Sequence, residues 1–166
     1  EWAPNATEIY LVGDFNGWNE QEAYQCHKIE GTGNWELTLP HDAMQHGQYY
    51  KMRVHWEGGE GERIPAWAQR VVQDEASKIF SAQVWAPAEP YVWEKKTFKP
   101  QTSPLLIYEC HIGMAQDEEK VGTYNEFREK VLPRIIKDGY NAIQIMAIQE
   151  HPYYGSFGYH VSSFFA

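Results

Sequence analysis

Cysteine is nearly absent from this 166-residue chain, which holds Cys26 and Cys110 and no others. Two cysteines cannot build a disulfide framework, and the simpler reading is a pair of reduced, buried thiols in a cytoplasmic protein. Basic charge is scarce as well, with 14 Lys and Arg against 23 Asp and Glu and a formal net charge of −9. That deficit argues against a nucleic-acid partner, because phosphate backbones are bound by clustered cations. No apolar run approaches the roughly 20 residues of a membrane-spanning helix, and no signal peptide is visible, so no membrane partner is expected. The chain opens on Glu1 rather than Met, which suggests a piece of a longer polypeptide.

Aromatic residues are abundant instead, with seven Trp and eleven Tyr, and 43% of residues are hydrophobic, enough for a packed core. Flat aromatic faces suit apolar or CH-rich ligands, sugar rings included.

The first half alternates in short runs. "EIYLVGDF" sets Ile9, Leu11 and Phe15 on one face and Tyr10, Val12 and Asp14 on the other. "NWELTL" turns Trp35, Leu37 and Leu39 inward, and Trp35 is expected in the core. "QYYKMRVHW" puts Tyr50, Met52, Val54 and Trp56 on one face and Tyr49, Lys51, Arg53 and His55 on the other. "NGWN", "GTGN", "HDAMQHG" and "EGGEG" separate these runs as turns or loops. Strands at this spacing predict an antiparallel β-sandwich over residues 1–86.

Pro87, Pro90, Pro100 and Pro104 mark a proline-rich linker over 87–104. Over 105–166 the pattern becomes strand, helix, strand. "LLIYECHI" and "NAIQIMAI" read as parallel strands buried on both faces. Between them Thr123 and Glu126 form a capping box. Tyr124, Phe127, Val131 and Ile135 make the buried stripe, Pro133 bends the helix, and Gly139 stands at its C-terminal cap.

Two stretches carry a resemblance. "YLVGDFNGWN" is similar to the signature of the glycogen-binding β-sandwich that precedes the barrel in glucan branching and debranching enzymes. "IYECHIGM", "VLPRIIKDGYNAIQIMAIQEH" and "YYGSFGYHVSSFFA" resemble the first strand, first helix, second strand and following loop of 1,4-α-glucan (glycogen) branching enzymes, in the α-amylase superfamily of (β/α)8 barrels. The implied fold is mainly β: an immunoglobulin-like, carbohydrate-binding sandwich followed by the first β-α-β unit of a truncated barrel. Amylase-like relatives tend to carry a proline where this chain has Ala147, which points away from a generic amylase.

The resemblance implies retaining transglycosylation. One carboxylate attacks the anomeric carbon, a second carboxyl group protonates the leaving oxygen, and a sugar 6-hydroxyl opens the covalent intermediate. An α-1,4-glucan is cleaved and its chain transferred to form an α-1,6 branch in glycogen or starch. Those carboxylates belong to later strands of the family's barrel. Glu109, Glu118, Glu119 and Glu150 match neither motif, so no catalytic residue is assigned and the segment alone is expected to be inactive. No cofactor or metal is implied.

Three residues match substrate contacts of the family. Tyr159 matches the tyrosine that stacks under the sugar next to the cleaved bond, the alternative being that it packs the loop onto the rim. His151, Tyr154 and Phe157 read as scaffold around it, and Gly155 and Gly158 as permissive turn positions. Trp18 matches a glucan-stacking tryptophan, the alternative being a turn plug, and Lys51 matches a glycan-contacting lysine. Trp56 falls on the core face by parity. Glu109 and His111 share one side of a strand and read as a hydrogen-bonded pair, since no third metal ligand stands at sensible spacing. "EGGEGE" lacks the Lys and Ser/Thr of a phosphate loop and reads as a solvated hairpin turn.

The partner expected is an α-1,4-glucan: glycogen, starch or maltooligosaccharides. The other readings are a stand-alone α-glucan-binding module and a piece of a debranching or trehalose-forming barrel enzyme. Apolar strand faces left uncovered by a truncated barrel also predict self-association.

Overall fold

The computed structural model describes residues 1–94, 97–99 and 104–166. Pro100, one of the linker prolines, lies outside the described residues. The chain is mainly β and forms two compact units, Glu1–Tyr91 with Ser163–Ala166, and Val92–Ser162.

In the first unit, β1 (Ala6–Gly13) pairs antiparallel with β4 (Tyr49–Trp56). The other edge of β4 pairs with β5 (Gly59–Arg63) at its C-terminal half and with β7 (Phe80–Gln83) at its start. β6 (Val71–Gln73) completes this five-stranded sheet beyond β7. β2 (His27–Ile29) and β3 (Asn34–Glu36) form a separate antiparallel pair. Trp35 from that pair packs with Ile9, Met52 and Val54 of the large sheet, which makes the core. Its Nε1–H donates to the Ala3 carbonyl at 2.9 Å, so the one polar atom of the buried indole is satisfied.

Alternation predicted the faces well, with two corrections. Val12, on the face read as outward, is 0% exposed like Ile9, because both sides of β1 are covered there. Trp56 follows the core face of Met52 and Val54 in phase but is 44% exposed. It ends β4 and lies over the hairpin rather than inside the core.

In the second unit, β8 (Ile107–His111) and β9 (Ala142–Met146) pair in parallel from Ile107 opposite Ala142 to His111 opposite Met146. The connecting helix starts with the expected capping box: the Glu126 N–H donates to Thr123 Oγ1, and the Thr123 N–H donates to Glu126 Oε2. Its bend takes a specific form. α1 (Tyr124–Glu126) passes into a π-helical segment, Phe127–Val131, before α2 (Leu132–Lys137). Proline brings no N–H and its ring crowds the preceding turn; widening that turn by one residue absorbs both effects. Phe127 and Ile135 are buried against Cys110 and Ile112, whereas Tyr124 is 60% exposed, since the first turn is tied by its cap rather than by burial. Gly139, at φ +91°, donates to Ile136, and Tyr140 donates to Ile135, the paired closure of a helix C-terminus.

The expected Glu109–His111 pair does not form. Glu109 Oε2 accepts from Gln144 Nε2 at 2.8 Å across the strand pair, and the His111 ring nitrogens have no hydrogen-bond partner among the described residues. Gly155 also departs from expectation: no left-handed φ requires it, and instead the Tyr153 ring occupies the space of its missing side chain.

Candidate glycan-binding site

"GDFNGW" folds as a self-bonded turn. Asn16, buried, accepts the Gly13 N–H at 2.9 Å on its Oδ1 and donates from Nδ2 to the Leu11 carbonyl at 2.9 Å. The Trp18 N–H closes the loop on the Gly13 carbonyl at 2.9 Å. Gly13 is obligatory, since a Cβ there would strike the Tyr49 carbonyl oxygen. Gly17 at φ +63° and Trp18 at φ +62° then turn the chain so that the indole projects beside β4.

Asp14 fixes that indole. Its Oδ1 accepts from Trp18 Nε1 at 2.9 Å, and its Oδ2 accepts from the Tyr49 N–H at 2.7 Å. The result is one wall of a groove of about 400 Å3 whose lining includes both Trp18 and Lys51. Lys51 Nζ lies 3.3 Å from Glu62 Oε2, which takes one of the three donors of the ammonium. Arg53 bonds the other oxygen of Glu62 at 2.9 Å and, with Lys51, holds that carboxyl below its ordinary range. Opposite, Asp74 Oδ1 accepts the N–H and hydroxyl of Ser77, which lowers its pKa and builds the turn that presents Ile79 to the groove.

The structure therefore brings Trp18 and Lys51 together, 33 residues apart in the chain. A flat indole, an apolar Ile79, a cation and the carboxylates of Asp14, Glu62 and Asp74 form a mixed wall suited to a ligand with CH faces and many hydroxyls. Sequence reasoning missed Asp14, Glu62, Asp74 and Ile79. The family resemblance points to Lys51, and the parity of β4 is compatible with it, but nothing local shows that Asp74 and Ile79 line the same groove.

Tyr159 belongs to the second unit and is 79% exposed. It follows a 3-10 turn, Tyr154–Ser156, and two left-handed residues, Phe157 at φ +51° and Gly158 at φ +83°. A Cβ on Gly158 would collide with Ala147, which itself adopts φ +56°. Tyr154 and Phe157 set their rings edge-on to His111 at 6.1 and 6.3 Å, in keeping with scaffold roles. Of the acidic residues set aside earlier, Glu118 pairs with Lys130 at 2.8 Å and Glu150 is raised by burial.

A further cluster was not foreseen. Glu20, His55 and Glu60 place ligand-type atoms within 4.8 Å of one another. His55 Nε2 meets Glu20 at 2.7 Å and Nδ1 meets Glu60 at 3.2 Å, so the ring already bridges the two carboxylates.

Residues 1–68 match the family model of carbohydrate-binding module 48, the isoamylase N-terminal domain. The match covers 68 of the chain's 166 residues. The whole chain is 44% identical to the 1,4-alpha-glucan-branching enzyme of Yarrowia lipolytica over 175 residues, covering 100% of this chain and 25% of the relative. It is 46% identical to the chloroplastic/amyloplastic 1,4-alpha-glucan-branching enzyme 2-2 of Arabidopsis thaliana, covering 100% of this chain and 21% of that one. The chain thus spans about a quarter of the length of the curated relatives it matches. The fold is similar to that of a pullulanase from Paenibacillus barengoltzii, solved with maltohexaose and alpha-cyclodextrin. The TM-score is 0.68 at 21% identity, over 91% of this chain and 25% of the pullulanase. No helix among the described residues is long and apolar enough to cross a membrane.

Proposed function

We propose that the family 48 module binds α-1,4-glucan in the groove between Trp18 and Lys51. The observation that carries this reading is their convergence on one groove, with the Trp18 indole held by Asp14. A glucose ring lays its CH face on the indole while Lys51, Glu62 and Asp74 bond its hydroxyls. Co-sedimentation with glycogen tests it: Trp18→Ala and Lys51→Ala are expected to lose retention, and full retention by both would overturn the reading.

Identity with branching enzymes over the entire chain supports a wider proposal, that the chain is the N-terminal part of an enzyme of this activity. The parallel strand–helix–strand unit of 105–166 then begins the catalytic barrel, with residues 87–104 as the linker. The loop after β9 lies at the C-terminal end of a parallel strand, the end where barrel active sites are built, and its exposed Tyr159 is positioned there to stack on a sugar ring. On this reading the 166 residues have no branching activity, and new 1,6-linkages made by the pure chain would contradict it. Exposed Ile107 and Ile143 on β8 and β9 support self-association of the isolated chain, and a monomeric sizing profile at high concentration would count against that. Two free thiols, Cys26 and Cys110, are in keeping with a cytoplasmic location.

A further inference from the structure

Of the six asparagines in the chain, Asn16 alone is followed by glycine. The pairing has a chemical consequence, because the carbonyl carbon of an asparagine side chain is open to attack by the next residue's backbone nitrogen. Glycine has no side chain to shield that nitrogen. The Gly17 nitrogen bonds to Asn16 Cγ, the Cγ–Nδ2 bond breaks, and ammonia leaves with the Gly17 amide proton. Water then opens the resulting succinimide at either carbonyl, giving aspartate or backbone-shifted isoaspartate. Nothing beyond water enters the balance.

The folded turn opposes the first step in three ways. Asn16 Oδ1 accepts the Gly13 N–H at 2.9 Å and Nδ2 donates to the Leu11 carbonyl at 2.9 Å. Attack tilts the amide out of its plane and expels Nδ2, so both bonds must open first. The Asn16 carbonyl accepts from Gln21 Nε2 at 3.3 Å and from the Asn19 N–H at 3.4 Å, which fixes the peptide joining Asn16 to Gly17. Asn16 is also only 7% exposed, so solvent base has little access to the reacting atoms.

We propose that Asn16–Gly17 is a modification site that the fold keeps silent: a succinimide forms there when the turn opens, and its products cannot close the turn again. An aspartate at this position still accepts the Gly13 N–H. It has no N–H for the Leu11 carbonyl, and it sets a buried charge against that oxygen. Isoaspartate adds a methylene to the backbone, inside the short 3-10 turn Asp14–Asn16 that the Trp18 N–H closes on Gly13. Either product therefore releases Trp18 from its place beside β4. The effect on glucan retention rests on the groove reading above; the chemistry at Asn16 does not.

The test is peptide-mapping mass spectrometry of the full chain aged at mildly alkaline pH, native and in guanidinium chloride. Amide-to-acid conversion at Asn16 is expected to be slower in the native chain by about tenfold or more, since two buried hydrogen bonds must open first. In guanidinium it should outrun conversion at the other five asparagines, whose following residues all carry side chains. Gly17→Ala should slow it there, a comparison that needs no folded variant. Asn16→Asp, which supplies one product directly, should unfold at a lower denaturant concentration than the parent. Equal rates in native and denaturing buffer, no preference for Asn16 in the unfolded chain, or an unchanged midpoint for Asn16→Asp would each overturn the inference. None of these readouts involves a glycan, so a parent chain that fails to retain glycogen would overturn the groove and leave this site standing.

Discussion

Asp14 couples Trp18 to β4: one carboxylate oxygen holds the indole N–H at 2.9 Å and the other holds the Tyr49 N–H at 2.7 Å. The tryptophan is thereby fixed before any ligand arrives, and fixing a side chain in advance removes an ordering cost from binding. Asp14→Ala should weaken maltoheptaose binding by about tenfold, in line with the roughly 1.5–3 kcal/mol of a charged hydrogen bond, measured by calorimetry. Unchanged affinity would show that the indole needs no such anchor.

Trp35→Ala should cost about 3–5 kcal/mol of stability, because it empties the centre of the sandwich core and removes the hydrogen bond to the Ala3 carbonyl. Urea unfolding checks this. Trp18→Ala in the same experiment should change stability little, which separates the binding tryptophan from the structural one.

Position 147 predicts its own backbone chemistry. Ala147 at φ +56° lies where proline, locked near −65°, cannot follow, so Ala147→Pro should destabilise the chain by more than about 1 kcal/mol. Ala147→Gly relieves a left-handed cost of about 1–2 kcal/mol and adds about 0.4–1 kcal/mol of unfolded-state entropy. A net gain between about 0 and 1.6 kcal/mol in thermal or urea unfolding follows.

Glu126 gives a pH signature. The hydrogen bond from Lys120, followed by those from Thr123, lowers its pKa from an ordinary 4.5 to about 2. A folded-state pKa below the unfolded one favours the ionised native form, so its stabilisation is present above about pH 4.5 and is lost as pH falls through about 2. Glu126→Gln keeps the shape of the capping box but removes the charge. Its melting temperature should therefore fall less steeply than the parent's between pH 4.5 and 2. Parallel curves would contradict the assignment.

Much of the fold was legible because strand parity and helix capping act locally. Trp35, Met52 and Val54 pointed inward as their alternation required, and Thr123, Glu126 and Gly139 marked the helix ends. Parity could not show how far cover extends, which is why Val12 is buried and Trp56 is open. Likewise Pro133 announced a bend without revealing that a π-helical turn would absorb it. In the site, the family resemblance pointed to Trp18, within "GDFNGW", and to Lys51, with parity compatible for the lysine. Asp74 and Ile79 join them only through the pairing of distant strands, which no short window records.

The central claim is that the Trp18–Lys51 groove holds an α-glucan. The most direct measurement is maltoheptaose affinity by calorimetry for the parent chain and for the Trp18→Ala, Lys51→Ala double variant. The account predicts binding in the first and none in the second, with both folded. Equal heats in the two, or no binding to either, would contradict it.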